Sequence, residues 1–182
     1  MSAVHDSVIC VSCGRFGSID DRIRVECKDL YLLAAGMWLK RPEGSFGKDS
    51  RGIANILHAG AKVRVDCDTD VIRLLFDKAV DLSGRFEAQE ASNAIWAAAS
   101  LGMKETRVIN ALARACMDRV REMKAQEASN ALWSIATLKV SDDHVITALT
   151  QACVDRVRVF NAQDASNALW SDRSKELSAP KT

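Results

Sequence analysis

The sequence predicts an all-α protein, a right-handed α-solenoid of tandem 37-residue helix-turn-helix repeats. Three observations carry that reading. Trp96, Trp133 and Trp170 are spaced by 37 residues inside the segments AQEASNAIW (88–96), AQEASNALW (125–133) and AQDASNALW (162–170). A second block recurs in the same register: Val71-Ile72, Val108-Ile109 and Val145-Ile146, then Leu75, Leu112 and Leu149. Asp81, Asp118 and Asp155 follow, and after them Phe86, Met123 and Phe160. A period between 20 and 50 residues marks a solenoid, whose units bury their apolar faces on one another. Composition agrees, because two prolines, 5% aromatics and abundant alanine suit closely packed helices better than sheets.

The elements follow in chain order. Residues 1–18 are expected to be irregular, with neither the basic and apolar regions of a secretory signal nor an Arg-rich transit pattern. Residues 19–40 should form a helix that caps the stack, and Pro42, Gly44 and Gly47 mark a linker, so 19–45 form cap and linker. The repeat domain is expected over 46–171, about three hairpins with the last incomplete, followed by a polar tail at 172–182. Its first unit is worn: 67–82 align with the second helix, and 48–61 with the first only if one residue is inserted between them. That alignment sets Asn55 on Asn93 and His58 at the tryptophan position.

In the next unit, Ala91, Ala94, Ile95, Ala98 and Leu101 recur at helical steps over 88–101, and Gly102 ends the pattern. Val108, Ile109, Leu112, Cys116 and Val120 form a second apolar stripe over 105–122. The helices repeat at 125–138 and 142–159, with Ser141 or Asp142 as the N-cap of the latter. After Trp170 the apolar SIATL of the preceding unit gives way to SDRSKELSAPKT, which suggests an uncovered apolar side on the helix at 162–170. A protein partner, or a second copy, could dock there.

The F/M-x-A-Q-E/D-A-S-N-A-I/L-W core over residues 46–170 resembles the heptatricopeptide and octotricopeptide repeats of organellar RNA-binding proteins, to which the FAST-kinase-domain and RAP proteins are related. The resemblance implies a helical-hairpin solenoid that binds single-stranded RNA in mitochondria or chloroplasts, supporting RNA stability, processing or ribosome assembly.

Candidate contacts can be weighed from the residues themselves. Gln89, Asn93 and Trp96 share one side of a helix, with Ser92 alongside; Gln126, Asn130 and Trp133 repeat the set, as do Gln163, Asn167 and Trp170. Serine and asparagine are mediocre helix formers, so their recurrence within a helix requires a hydrogen-bonding reason. One reading has the amides tie adjacent hairpins while the tryptophans form a structural repeat core. The other has them stack on and hydrogen-bond bases. Glu87, Lys124 and Asn161 share one variable position, where a base-reading repeat would carry specificity, or where solvent imposes no constraint. Arg119, Arg121, Arg156 and Arg158 recur in DRVR segments, as phosphate contacts or as cations suited to a helix C-terminus.

Other classes of function find little support. The net charge of +1 supplies no bulk attraction to polyanions or membranes, and no apolar run is long enough to span a bilayer. Cys10-Val-Ser-Cys13 is a lone pair, His5, His58 and His144 form no cluster, and neither metal nor other cofactor is expected. The six cysteines suggest no disulfide framework, so a reducing compartment is the default. No catalytic motif is present, so a binding protein is expected and not an enzyme. The same solenoid surface would also serve as a protein-interaction scaffold. Three stacked bases at roughly 1–3 kcal/mol each give at most about 9 kcal/mol before association costs. RNA binding by the chain alone should therefore be weak, at tens of micromolar.

Overall fold

The computed structural model describes residues 21–42 and 50–178, with no β-strand among them. The 1–18 segment with Cys10 and Cys13, the linker glycines Gly44 and Gly47, and residues 179–182 lie outside the described residues. In chain order the helices are α1 (Asp21–Leu39), α2 (Ser50–Val63), α3 (Asp70–Leu82), α4 (Ala88–Leu101), α5 (Thr106–Arg119), α6 (Ala125–Thr137), α7 (Asp143–Arg156) and α8 (Ala162–Ser178). Short 3₁₀ turns follow α3 and α7 at Ser83–Arg85 and Val157–Val159.

The helices stack in two layers. One holds α2, α4, α6 and α8, each packed on the next, and the other holds α3, α5 and α7. Pairs α2–α3, α4–α5 and α6–α7 are the hairpins, and α1 rests on α2 and α3. This is the all-α repeat solenoid that the 37-residue period predicts.

Side-chain size explains why the layers differ. Ala91, Ala94, Ile95 and Ala98 of α4 are fully buried, as are Ala128, Ala131 and Ile135 of α6. Small side chains let helix axes approach closely, so the α2–α4–α6–α8 layer is the more tightly packed. In the other layer Val108, Leu112 and Cys116 of α5, and Val145, Leu149 and Cys153 of α7, fill the core, while Ile109 and Val120 pack at its margin. Burial pushes the Cys116 thiol far above its ordinary range and Cys153 up to about 11, so both are inert core residues.

The hairpin turns share one device. The chain leaves α2, α4 and α6 through a left-handed residue: Arg64 (φ 57°), Gly102 (φ 72°) and Lys139 (φ 55°). Each turn closes a Schellman motif, in which the N–H groups of Val65, Met103 and Val140 donate to the carbonyls of Gly60, Ala98 and Ile135. Spacing between these positions is 38 and then 37 residues, so the inserted residue of the worn unit lies beyond Arg64, in the turn before α3. Asp142 caps α7, its carboxylate accepting from the N–H groups of His144 and Val145.

At the N-terminal end Tyr31 and Trp38 of α1 are buried, the latter outside the repeat register. Tyr31 donates its hydroxyl to the Ile56 carbonyl at 2.9 Å. Only glycine at position 60 allows that approach, since a Cβ there would lie 2.5 Å from the Tyr31 oxygen.

Candidate nucleic-acid interface

On α2 and α4 the solvent-facing residues fall on one narrow stripe, whereas α8 exposes Ser166 and Leu169 as well. On α4, every residue that is not buried lies on it apart from the terminal Leu101: Gln89, Asn93, Trp96 and Ser100, at steps of four, three and four. The equivalent stripe on α6 is Gln126, Asn130, Trp133 and Thr137, and on α8 Gln163, Asn167 and Trp170. On α2 it reads Arg51, Asn55, His58 and Lys62. Side by side the stripes make a grid with one row of glutamine or arginine, one of asparagine and one of aromatic rings.

The aromatic row is continuous at both ends. His58 and Trp96 have ring centroids 4.9 Å apart at 44°, and Trp133 and Trp170 are 5.9 Å apart at 48°. Lys62 Nζ lies 5.1 Å from the Trp96 ring centre, a cation–π distance. Burial, with help from the neighbouring Lys62 charge, lowers the His58 pKa to about 4, so the imidazole is neutral near pH 7. The tryptophans stand at the margin of the core: Trp96 packs against it and keeps part of its ring in solvent. Trp96 and Trp133 are half-buried and Trp170 is 48% exposed, because alanines and Ile95 already fill the space between helices.

Serine and asparagine have the hydrogen-bonding role that their positions require. Ser92 Oγ donates to the Glu127 carbonyl at 3.0 Å, and Ser129 Oγ to Asp164 Oδ1 at 3.4 Å, so each serine reaches the first turn of the next helix in the layer. Asn167 Nδ2 donates to Asn130 Oδ1 at 2.8 Å, and Gln163 Nε2 to Asn167 Oδ1 at 2.9 Å. Buried serine therefore ties the layer together, half-buried asparagine does so in part, and Gln89 and Gln126 are exposed.

Glu87, Lys124 and Asn161 are the N-cap positions of α4, α6 and α8, at the edge of the grid and exposed. Their backbone N–H groups donate to Glu90 (3.0 Å), Glu127 (2.8 Å) and Asp164 (3.1 Å), which fixes the helix start whatever the N-cap side chain. That explains why one position tolerates three chemistries. Asn161 also accepts from the Asp164 N–H, so its side chain serves the cap, and Glu87 faces Arg51 at 3.9 Å.

The four arginines divide in two. Arg119 Nε donates to the Phe86 carbonyl at 2.7 Å, and Arg156 Nε to the equivalent carbonyl of Met123. Arg156 further donates to the carbonyls of Ala152 and Arg121. These two guanidiniums tie each second helix to the previous unit, and they are not the free phosphate contacts that the DRVR repetition suggested. Arg121 and Arg158 are exposed, in the turns that lead into α6 and α8.

Sequence reasoning missed Arg51, Lys62, Arg64 and Lys139. The alignment that sets Asn55 on Asn93 also sets Arg51 on Gln89 and Lys62 on Ser100, so the signal was present in the register. Gly102, read only as a helix stop, marks the turn position that Arg64 and Lys139 share.

Among the described residues no cluster of histidine, cysteine or carboxylate side chains could hold a metal ion, and no helix is long and apolar enough to cross a membrane.

Residues 40–182 match the family described as RNA-editing substrate-binding complex 6 protein. The chain belongs to this family. The match takes in the whole grid from Arg51 to Trp170 and ties the repeats to RNA editing, without singling out the heptatricopeptide or octotricopeptide families that their core resembles. No curated protein sequence matches the chain. Membership of the RNA-editing substrate-binding complex 6 family associates the solenoid with RNA and with protein partners in general.

Proposed function

We propose that this chain contacts single-stranded RNA across the exposed face of the α2–α4–α6–α8 layer, as a weakly binding component of an RNA-editing assembly. The observation that carries this reading is the grid itself. Three stripes at one register, on α4, α6 and α8, present exposed glutamine amides beside partly exposed tryptophan rings, and the α4 stripe contains no charged residue. Uncharged donors and acceptors beside aromatic faces suit unstacked bases, while Lys62 at one end suits a phosphate. Editing in the mitochondrion would be the setting; the plastid has no support in the family. No catalytic step forms part of this reading.

The test is ultraviolet crosslinking of the full chain to a mixed-sequence single-stranded RNA, with modified peptides mapped by mass spectrometry. Adducts are expected within 88–101 and 125–137. Adducts confined to the α3–α5–α7 layer, or none, would overturn the proposal.

A protein partner at the C-terminal end is a second reading, favoured by a specific feature. Val154, Val157, Val159 and Leu169 are all more than half exposed there, and exposed apolar side chains of this size suit a protein contact. Sedimentation of the purified chain alone and with other members of the editing assembly tests it, with a shift on mixing expected.

A further inference from the structure

A cavity of about 530 Å³ opens between the α6–α7 turn and Trp170 of α8. Its floor is Leu132, Ile135 and Ile146, and Trp170 and Lys139 stand in its lining. Lys139 is one of three equivalent left-handed turn positions, with φ 55° where Gly102 has φ 72°. A side chain is strained in that conformation and glycine is not, so the fold alone favours glycine at all three. Two of the three carry a cation instead. At the other end of the layer a cation of a different register position meets a ring one helix on, with Lys62 5.1 Å from the Trp96 centre.

We propose that this cavity holds one nucleotide of a bound single-stranded RNA, its base against the Trp170 ring and its phosphate on the Lys139 ammonium. This rests on the RNA-binding reading above and assigns that surface its first discrete subsite. The volume falls within the range of pockets that enclose small organic ligands, and an apolar floor with one aromatic wall suits a base better than a free anion. The Thr137 hydroxyl donates to the Trp133 carbonyl at 2.9 Å and keeps its acceptor capacity, so Thr137, Ser141 and Asp143 are the lining side chains able to meet a base edge. A cation at this turn suits the helix C-terminus, and in the cavity lining Lys139 is also placed to meet a ligand's negative charge.

Lys139→Gly separates this role from a structural one. The full chain and the variant are titrated with a mixed-sequence single-stranded RNA of twelve nucleotides over a range of salt concentrations. Relief of strain should leave the melting temperature unchanged or raise it by up to about 4 °C. Affinity should fall about three- to tenfold for every sequence, and the slope of log affinity against log salt should shrink by roughly one contact. Lys139→Gln, which keeps the strain and removes the charge, should show the same loss. Undiminished affinity and an unchanged slope in both variants, with RNA still bound by the unmodified chain, overturn the subsite alone. No RNA binding by the unmodified chain overturns the underlying reading and the subsite with it.

Discussion

In the tryptophan layer the core positions of α4 are Ala91, Ala94 and Ala98, whereas at the same depth α5 places Val108, Leu112 and Cys116. The two layers share one chain and one period, yet they bury different chemistry. Alanine brings α2, α4, α6 and α8 close together and leaves the larger tryptophan ring at the margin of the core, partly in solvent. Larger aliphatic side chains hold α3, α5 and α7 further apart, and arginines bridge to the preceding unit through the carbonyls of Phe86 and Met123. The difference teaches that the most conspicuous residue of a repeat need not be its core.

Substitutions should separate the layers by whether a smaller or a larger side chain does the damage. Leu112→Ala removes a fully buried side chain from the aliphatic layer and should cost roughly 2–5 kcal/mol in chemical denaturation. In the alanine layer enlargement should do the damage: Ala94→Leu should cost about 1–3 kcal/mol by forcing α2, α4 and α6 apart. If Ala94→Leu is neutral, close approach is not what holds that layer.

Acid should weaken the alanine layer through His58. The unfolded chain protonates this histidine near its ordinary value of 6.5, whereas the folded chain resists until about pH 4. Its contribution is complete above pH 6.5 and is lost as pH falls toward 4, which amounts to about 2 kcal/mol between pH 7 and 4.5. His58→Gln should remove that part of the pH dependence, measured by denaturation at several pH values.

Trp133→Ala should cost about 1–2 kcal/mol, less than the roughly 3–5 kcal/mol of a fully enclosed aromatic, because the ring is only half-buried. A loss at the upper value would return the ring to the core and weaken its assignment to the binding face.

Much of the fold was legible because the repeat supplies its own alignment. The stripes Ala91–Ala94–Ile95–Ala98 and Val108–Leu112–Cys116 are buried where helical spacing placed them, and Asp142 caps α7. The site was legible in part. Gln89, Asn93 and Trp96 do share one face, but the sequence could not show that alanine packing leaves the ring at the core's margin, partly in solvent. Nor could it show that Arg119 and Arg156 are used up on carbonyls 33 residues earlier, since a repeated arginine has the same pattern whether it meets backbone or phosphate. Backbone conformation is equally invisible in composition, so the left-handed Arg64 and Lys139 emerged only with the turns.

The most direct test of the central claim compares equivalent neutral substitutions in the two layers during titration with single-stranded RNA. Gln89→Ala with Gln126→Ala removes exposed amides from the tryptophan face, and Asn110→Ala with Thr147→Ala removes exposed polar groups, 37 residues apart, from the other layer. All four positions are solvent-exposed, so each pair should change stability by no more than about 0.5 kcal/mol per site. The unmodified chain should bind at tens of micromolar, the glutamine pair about tenfold more weakly, and the Asn110–Thr147 pair as the unmodified chain does. Equal losses from both layers, or a loss confined to the Asn110–Thr147 pair, would contradict the account.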